Sequence, residues 1–465
     1  NEEIEEYYEE LYRLYIDENQ PLERRYRQLR ESLERVVRER IQGNSLQTTD
    51  LAARINYVAT QYELDIKEQN QLHTFRLTSN DILNHRKFPA KEEFLRDLRA
   101  VAFAYRKMFA QDIPLKLFSV LPKQEITSLG KKEKKEYIRR IRVCFDYADD
   151  TYLYVHPVDI IADEPIRVVY NKPGINHEFE ETIKELWRYA QLNLLDVFVD
   201  REGIYTPSFI VLEPDYLIDI SSLAECYKDY GSHPANYFLS RLVPIDNARP
   251  LLLGNIANLF LDEWIHAGEE EPDYIDCMKK AFRQYPIELA ACAELRDPSK
   301  EKEFAKDCRM HFEHIRDIVQ HTFLEPGYNL DKKDAVLEPS YICEALGIQG
   351  RLDYMQRDMS SFIEMKSGKA DEFSIQGKVE PKENNKVQML LYMAVLEYSM
   401  GQDRRRMHPY LLYTRYPLLY PARASWAQVR RVINLRNRIV AAEYGVQFHN
   451  HSDFTRNLLA QINPE

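Results

Sequence analysis

The chain's 465 residues are too many for one compact core, so roughly two to four domains are expected. Its composition, 44% hydrophobic and 30% charged with 14 Gly, is that of a soluble globular protein rich in helix. The longest apolar stretches, 251–261 and 387–396, fall short of the roughly 18 residues a spanning helix needs, which excludes a membrane segment. A net charge of −12 argues by itself against a nucleic-acid partner.

The acidic start, Asn1-Glu2-Glu3-Ile4-Glu5-Glu6, lacks the apolar stretch of a signal peptide. Cys144, Cys226, Cys277, Cys292, Cys308 and Cys343 are widely spread with no C-x-x-C pair, which fits a reducing, cytoplasmic location and neither a disulfide framework nor a zinc module. Residues 1–135 read as a helical domain. Segments 4–14, 22–41 and 94–109 carry apolar residues at three- and four-residue spacing amid charges. They have no chemical signature; helical packing or partner binding is all they imply.

After the charged run 131–135 the period changes. Segments 141–147, 151–155 and 166–170 alternate and favour β-branched and aromatic residues, as strands do. A helix is expected over 178–194, with strands resuming at 195–199 and 209–212. Short strands with one helix suit a small barrel or sandwich, and an OB-type module is one candidate for 136–215. From 216 to 345 the chain is again mostly helical, most clearly at 251–264 and 304–323. His311, His314 and His321 lie on the latter; with no carboxylate at a suitable offset, they read as surface histidines.

Three short motifs carry the chemistry: Gly350-Arg351-Leu352-Asp353, then Phe362-Ile363-Glu364-Met365-Lys366-Ser367-Gly368-Lys369, then Gln388 with Tyr392. On a strand, Phe362, Glu364 and Lys366 share one face while Ile363 and Met365 point into a core on the other. A hairpin with its tip at Asp358 and Met359 sets Asp353 opposite Glu364, with Cβ atoms about 5 Å apart. Two carboxylates that close repel unless a positive charge lies between them. A hard divalent cation resolves the repulsion, Mg²⁺ being the usual choice. Lys366 would then help orient or deprotonate a water and neutralise charge on a phosphate, which suits in-line hydrolysis of a phosphodiester. The alternative is an ordinary surface hairpin. Pro381 and the pair Asn384 and Asn385 signal a helix over 387–398, placing Gln388 and Tyr392 on one face. They either contact a bound strand or the lysine, or are a satisfied buried amide and a core aromatic.

Residues 401–440 hold nine arginines against one acid, Asp403. Arginine suits forked phosphate contacts, so Arg430, Arg431 and Arg438 are candidate DNA contacts; a solvated helix face is the alternative.

In this order the motifs resemble the RecB-like branch of the PD-(D/E)XK nucleases, most closely the nuclease domain of the replication helicase–nuclease that trims flaps. The segment from Glu338 through Gly347 and Gly350 to Asp353 is similar to that family's acidic active-site segment. Residues 212–226 resemble the stretch joining its OB-fold to its nuclease, and Gly254 with Asn258 resembles its Gly-x-x-x-His helix start. The resemblance spans about 205–440 and implies a mixed α/β chain. Its parts would be an N-terminal helical domain, an OB-like module, a restriction-endonuclease-like PD-(D/E)XK core over 216–440, and a helical extension over 441–465. The resemblance also implies a fused helicase, yet 1–465 contains no Gly-x-x-x-x-Gly-Lys-[Ser/Thr] loop, so the helicase is expected elsewhere in a longer chain.

The implied activity is Mg²⁺- or Mn²⁺-dependent hydrolysis of DNA, with single-stranded ends or flaps as substrates. Asp353, Glu364 and the Met365 carbonyl would bind metal, Glu338 and Asn258 would be secondary ligands, and Lys366 would stabilise charge. Gln388 and Tyr392 would contact the bound strand. Two departures stand out. Asn258 occupies a histidine position and cannot act as an acid or base, so a catalytically weakened single-stranded-DNA-binding or scaffold module is the alternative. No cysteine follows Cys343, so the iron–sulfur cluster of many relatives is not expected.

Overall fold

The computed structural model describes residues 2–41, 50–123, 137–227, 232–243, 248–373, 378–423, 425–448, 456 and 460. The charged run 131–135 and most of the expected extension beyond 448 lie outside them. The chain is mixed α/β and forms two compact units, residues 1–213 with 440–465, and residues 214–439. None of the described helices is long and apolar enough to cross a membrane.

The first unit begins with helices α1 (Glu2–Ile16), α2 (Leu22–Arg40), α3 (Leu51–Gln61), α4 (Ile66–Leu83), α5 (Lys91–Phe109) and the short α6 (Leu115–Phe118). A capping box fixes the start of α4: Asp65 accepts from the Glu68 amide while Glu68 accepts from that of Asp65. The apolar stripes meet in one cluster, with Leu29, Leu33 and Val36 of α2 against Phe75 of α4 and Leu98 and Val101 of α5. Cys144 and Tyr189 join the same cluster, so the following β-rich segment packs against the helices within this unit.

That segment holds β1 (Tyr137–Ala148), β2 (Tyr152–Pro157), β3 (Ile166–Val169), α7 (Glu180–Lys184), β4 (Gln191–Val199), β5 (Tyr205–Thr206) and β6 (Phe209–Leu212). Strand β1 pairs with both β2 and β4, β3 joins β2 to β5, and β5 pairs with β4. The strands therefore close in a ring, with β6 added on β4. The helix expected over 178–194 is reduced to α7 and a 3₁₀ turn at His177–Phe179, and the chain is already extended from Gln191. Residues 191–195 are all buried. A strand buried on both faces reads as a continuous apolar run, which periodicity cannot tell from a buried helix.

The second unit opens with β7 (Ile218–Asp219), α8 (Ile220–Glu225), α9 (Ala235–Leu242), α10 (Arg249–His266), α11 (Tyr274–Gln284), α12 (Pro286–Ala291) and α13 (Pro298–Gln320). Strands β8 (Ala335–Leu337), β9 (Ser340–Cys343), β10 (Ile348–Arg351), β11 (Tyr354–Gln356) and β12 (Ser361–Lys366) follow. The chain then forms β13 (Asp371–Phe373), β14 (Lys378–Glu380), α14 (Glu383–Met400), β15 (His408–Tyr413), β16 (Leu418–Pro421) and α15 (Trp426–Phe448). A five-stranded sheet runs β16-β15-β12-β11-β8, with β12 and β15 parallel and the other neighbours antiparallel. A parallel pair needs a long crossover, and α14 lies in that connection. One sheet face packs Tyr354, Ile363, Met365 and Leu412 against Phe260 of α10 and Phe312 and Ile315 of α13. The opposite face carries Glu364 and Lys366 beneath α14.

Candidate active site

The site is built on the β11–β12 hairpin. Its turn is closed by the Met359 amide donating to the Gln356 carbonyl at 2.8 Å, with Met359 at φ 61. The ladder pairs Tyr354 with Ile363 and Met355 with Phe362, and the same register one residue further sets Asp353 against Glu364. Asp353 leaves the strand but stays attached to it, its Oδ2 accepting from the Met365 amide at 2.7 Å. Glu338 is held beside it. The Glu338 amide donates to the Asp353 carbonyl at 3.1 Å, and its exposed carboxylate pairs with Arg351 at 3.5 Å. At φ 51 this non-glycine residue is in the left-handed region, strain of the kind that collects at functional sites.

Glu364 is 5% exposed. Its Oε1 accepts from Gln388 Nε2 at 2.6 Å and Lys366 Nζ at 3.2 Å, while its buried Oε2 has no hydrogen-bond partner. Gln388, 3% exposed, completes the triangle by accepting from Lys366 Nζ at 2.7 Å and donating also to Ser221 Oγ of α8 at 3.1 Å. Its oxygen faces the ammonium and both amide protons are used, so its orientation follows from its partners. Tyr392, 1% exposed, donates to the Arg351 carbonyl at 2.6 Å. A Cβ added at Gly350 would stand 3.0 Å from that hydroxyl, so the tyrosine occupies the space a side chain there would need. Gln388 and Tyr392 thus support the hairpin from within, both buried, and of the alternatives read from the sequence the contact of Gln388 with the lysine is the one present.

Burial drives the electrostatics. It pushes the Glu364 carboxyl well up, and Asp353 adds to the effect while Lys366 opposes it. Burial also raises Asp353, against the Met365 amide and Lys366 and with Glu338. Sequence reasoning missed a fourth acid, Asp262 of α10. Burial pushes its carboxyl up to about 6, followed by the charge of Glu338 and, opposed by His266, that of Asp353. The signal was its spacing. Gly254, Asn258 and Asp262 follow one another at four-residue steps on one helix face. The Gly254 end of that face meets Ser367, whose Oγ is 3.2 Å from where a Cβ would stand. Half-buried Asn258 lies one turn from each.

Among the described residues no group of three or more His, Cys, Asp or Glu is placed to hold a metal ion. Asp353 and Glu364 would offer two carboxylates to a hard cation, whose remaining oxygens would have to come from backbone carbonyls or water, with the Met365 carbonyl nearby in sequence. The unpartnered Glu364 Oε2 fits such an ion.

The arginines expected on DNA divide. Arg431 is exposed and Arg438 half-buried, but Arg430 is 8% exposed and withdrawn from the surface. Arg436 is fully buried, donating to the Gly347 and Tyr216 carbonyls at 3.1 and 2.5 Å, which makes it structural. His311 also corrects an expectation. It is 0% exposed on α13 and bonded to Thr414 at 2.8 Å, where a surface histidine was expected. All six cysteines are buried. No known protein-family description matches the chain, and no curated protein sequence matches it.

Proposed function

We propose that residues 214–439 carry a metal-dependent DNA nuclease of the PD-(D/E)XK type, hydrolysing phosphodiester bonds of single strands. One observation carries this reading: a 95% buried carboxylate, Glu364 (5% exposed), keeps one oxygen unpartnered while facing Asp353 in register and Lys366 at 3.2 Å. Two buried carboxylates beside a single ammonium leave one negative charge uncompensated, which a bound divalent cation would offset. Asp353, Glu364 and the Met365 carbonyl would hold Mg²⁺ or Mn²⁺, with Glu338, Asn258 and Asp262 around them. A bound ion of this kind supplies a more acidic water and neutralises phosphate charge.

Lys366 does the rest. An ammonium has three donors, and two are used on Glu364 and Gln388, leaving one for a phosphate oxygen or the attacking water. Gln388 holds that ammonium in place and is itself held by Ser221.

The closed ring β1-β2-β3-β5-β4, with α7 between β3 and β4, supports an OB-type module in the first unit. On it Tyr147, 51% exposed, stacks with Tyr154 at 4.3 Å, and the Arg167 guanidinium lies 5.6 Å over the Tyr152 ring. Aromatic faces beside arginine suit single-stranded DNA. A DNA-binding module with weakened cleavage is the second reading, favoured by Asn258 at the position where the resemblance has a histidine. A cleavage assay on single-stranded DNA with Mn²⁺ and with EDTA separates the two.

A further inference from the structure

Lys366 is gripped at both ends. Its ammonium lies against Gln388 at 2.7 Å, and its carbonyl accepts from the Thr414 amide at 3.0 Å where the parallel pair β12–β15 ends. Thr414 is itself surrounded. It is 0% exposed, its Oγ1 lies 2.8 Å from His311 Nδ1 and 3.4 Å from the Lys366 carbonyl, and its own carbonyl accepts from His314 Nδ1 at 2.8 Å. The two histidines stand three residues apart on α13 and so share a face. Helix α13 thereby holds, just past the end of β15, the residue whose amide meets the Lys366 carbonyl.

The choice of histidine at 311 needs a reason. The ring is fully buried and its Nε2 has no hydrogen-bond partner, an unfavourable arrangement where an apolar side chain would pack without an orphaned nitrogen. Its Nδ1 bond to Thr414 is that reason. Burial also pushes the imidazole down to about 4, so the ring is neutral at working pH and bonds as a dipole.

We propose that His311 is a positioning residue. Through Thr414 it fixes the backbone at the end of β12, and with it the place from which Lys366 reaches the scissile phosphate. This rests on the nuclease reading above. The geometry makes a specific demand: the nitrogen nearer the ring's attachment does the bonding. Asparagine puts its terminal amide close to that atom, glutamine puts it near the unpartnered Nε2, and alanine has neither.

The test uses the full chain with His311→Asn, His311→Gln, His311→Ala, Thr414→Ser and Thr414→Val, each checked by thermal melt. Two readouts are taken, kcat on end-labelled single-stranded DNA with Mn²⁺ and native-state hydrogen exchange at the Thr414 amide. His311→Asn and Thr414→Ser should stay near wild type in both. His311→Ala, His311→Gln and Thr414→Val should lose about 10- to 100-fold in kcat, the scale for small displacements of a catalytic group, with KM little changed. In these three the Thr414 amide should exchange faster. If His311→Asn and His311→Gln behave alike, or if His311→Ala leaves kcat and exchange at wild-type values, the proposal is overturned. A wild-type chain that cuts nothing, with exchange still faster in His311→Ala than in His311→Asn, overturns the nuclease reading and leaves the clamp on Lys366 standing.

Discussion

A carboxylate taken out of water with one oxygen unpartnered must hold a proton or face a cation, and Glu364 is in that position. Its raised pKa and that of Asp353 set the sign of a pH effect. A carboxyl that titrates higher folded than unfolded destabilises the fold once the unfolded value, roughly 4, is passed. The loss grows as pH climbs toward the folded values and is absent below roughly pH 4. A bound divalent cation would replace the missing proton. One fixed Mn²⁺ concentration, about 100 times the Kd at pH 8, would stabilise by about 2.7 kcal/mol there and by less at pH 5, where protons compete for the carboxylates, so the gain in Tm should be larger at pH 8. Melts with and without Mn²⁺ check this, and Glu364→Gln should flatten the difference. Equal gains at both pH values in the wild type would count against a shared cation. Lys366→Ala should bind Mn²⁺ at least as tightly, a positive neighbour having gone, yet not cleave; Lys366→Arg should not restore cleavage, because a planar fork replaces a compact ammonium. The pairing of Asp353 with Glu364 was readable from strand period and one turn. Ser221 was not, since it meets Gln388 across 167 residues and no local pattern records such a contact.

At the scale of elements, the hairpin and α14 were legible because each has a local grammar: period two around a polar turn, and a helix start followed by an apolar run. The β4 segment lacked one, since a strand buried on both faces shows no alternation. The sequence left the role of Gln388 and Tyr392 divided between core and ligand, because only the tertiary contact of α14 with Glu364 and Lys366 of β12 decides it. The contact of α14 with β10 gives a testable pair of variants. Gly350→Ala puts a Cβ 3.0 Å from the Tyr392 hydroxyl and 3.1 Å from Ile220 Cδ1, and should cost about 1–3 kcal/mol by overpacking. Tyr392→Phe removes the hydroxyl that meets the Arg351 carbonyl at 2.6 Å and should cost about 1 kcal/mol. The double variant should cost less than the sum, since the hydroxyl removed is the atom the new methyl meets. Urea melts measure all three, and strict additivity would contradict the packing described.

Across the whole molecule, a net charge of −12 and an arginine-rich final third pull the electrostatics in opposite directions. Burial decides which arginines count. Arg431→Gln should weaken single-stranded DNA binding whatever the sequence and make the salt dependence shallower by about one unit, whereas Arg430→Gln, at a site 8% exposed, should lower Tm instead. An unchanged slope in Arg431→Gln would make that helix face a solvated one. The central claim is that Asp353 and Glu364 share one ion and that this pair does the cutting. Its most direct test is cleavage of end-labelled single-stranded DNA by the wild type, Asp353→Ala and Glu364→Ala with Mg²⁺ or Mn²⁺, each protein shown to be folded by thermal melt. The account predicts metal-dependent cutting by the wild type and almost none by either variant. Equal cutting by all three would place the active site elsewhere.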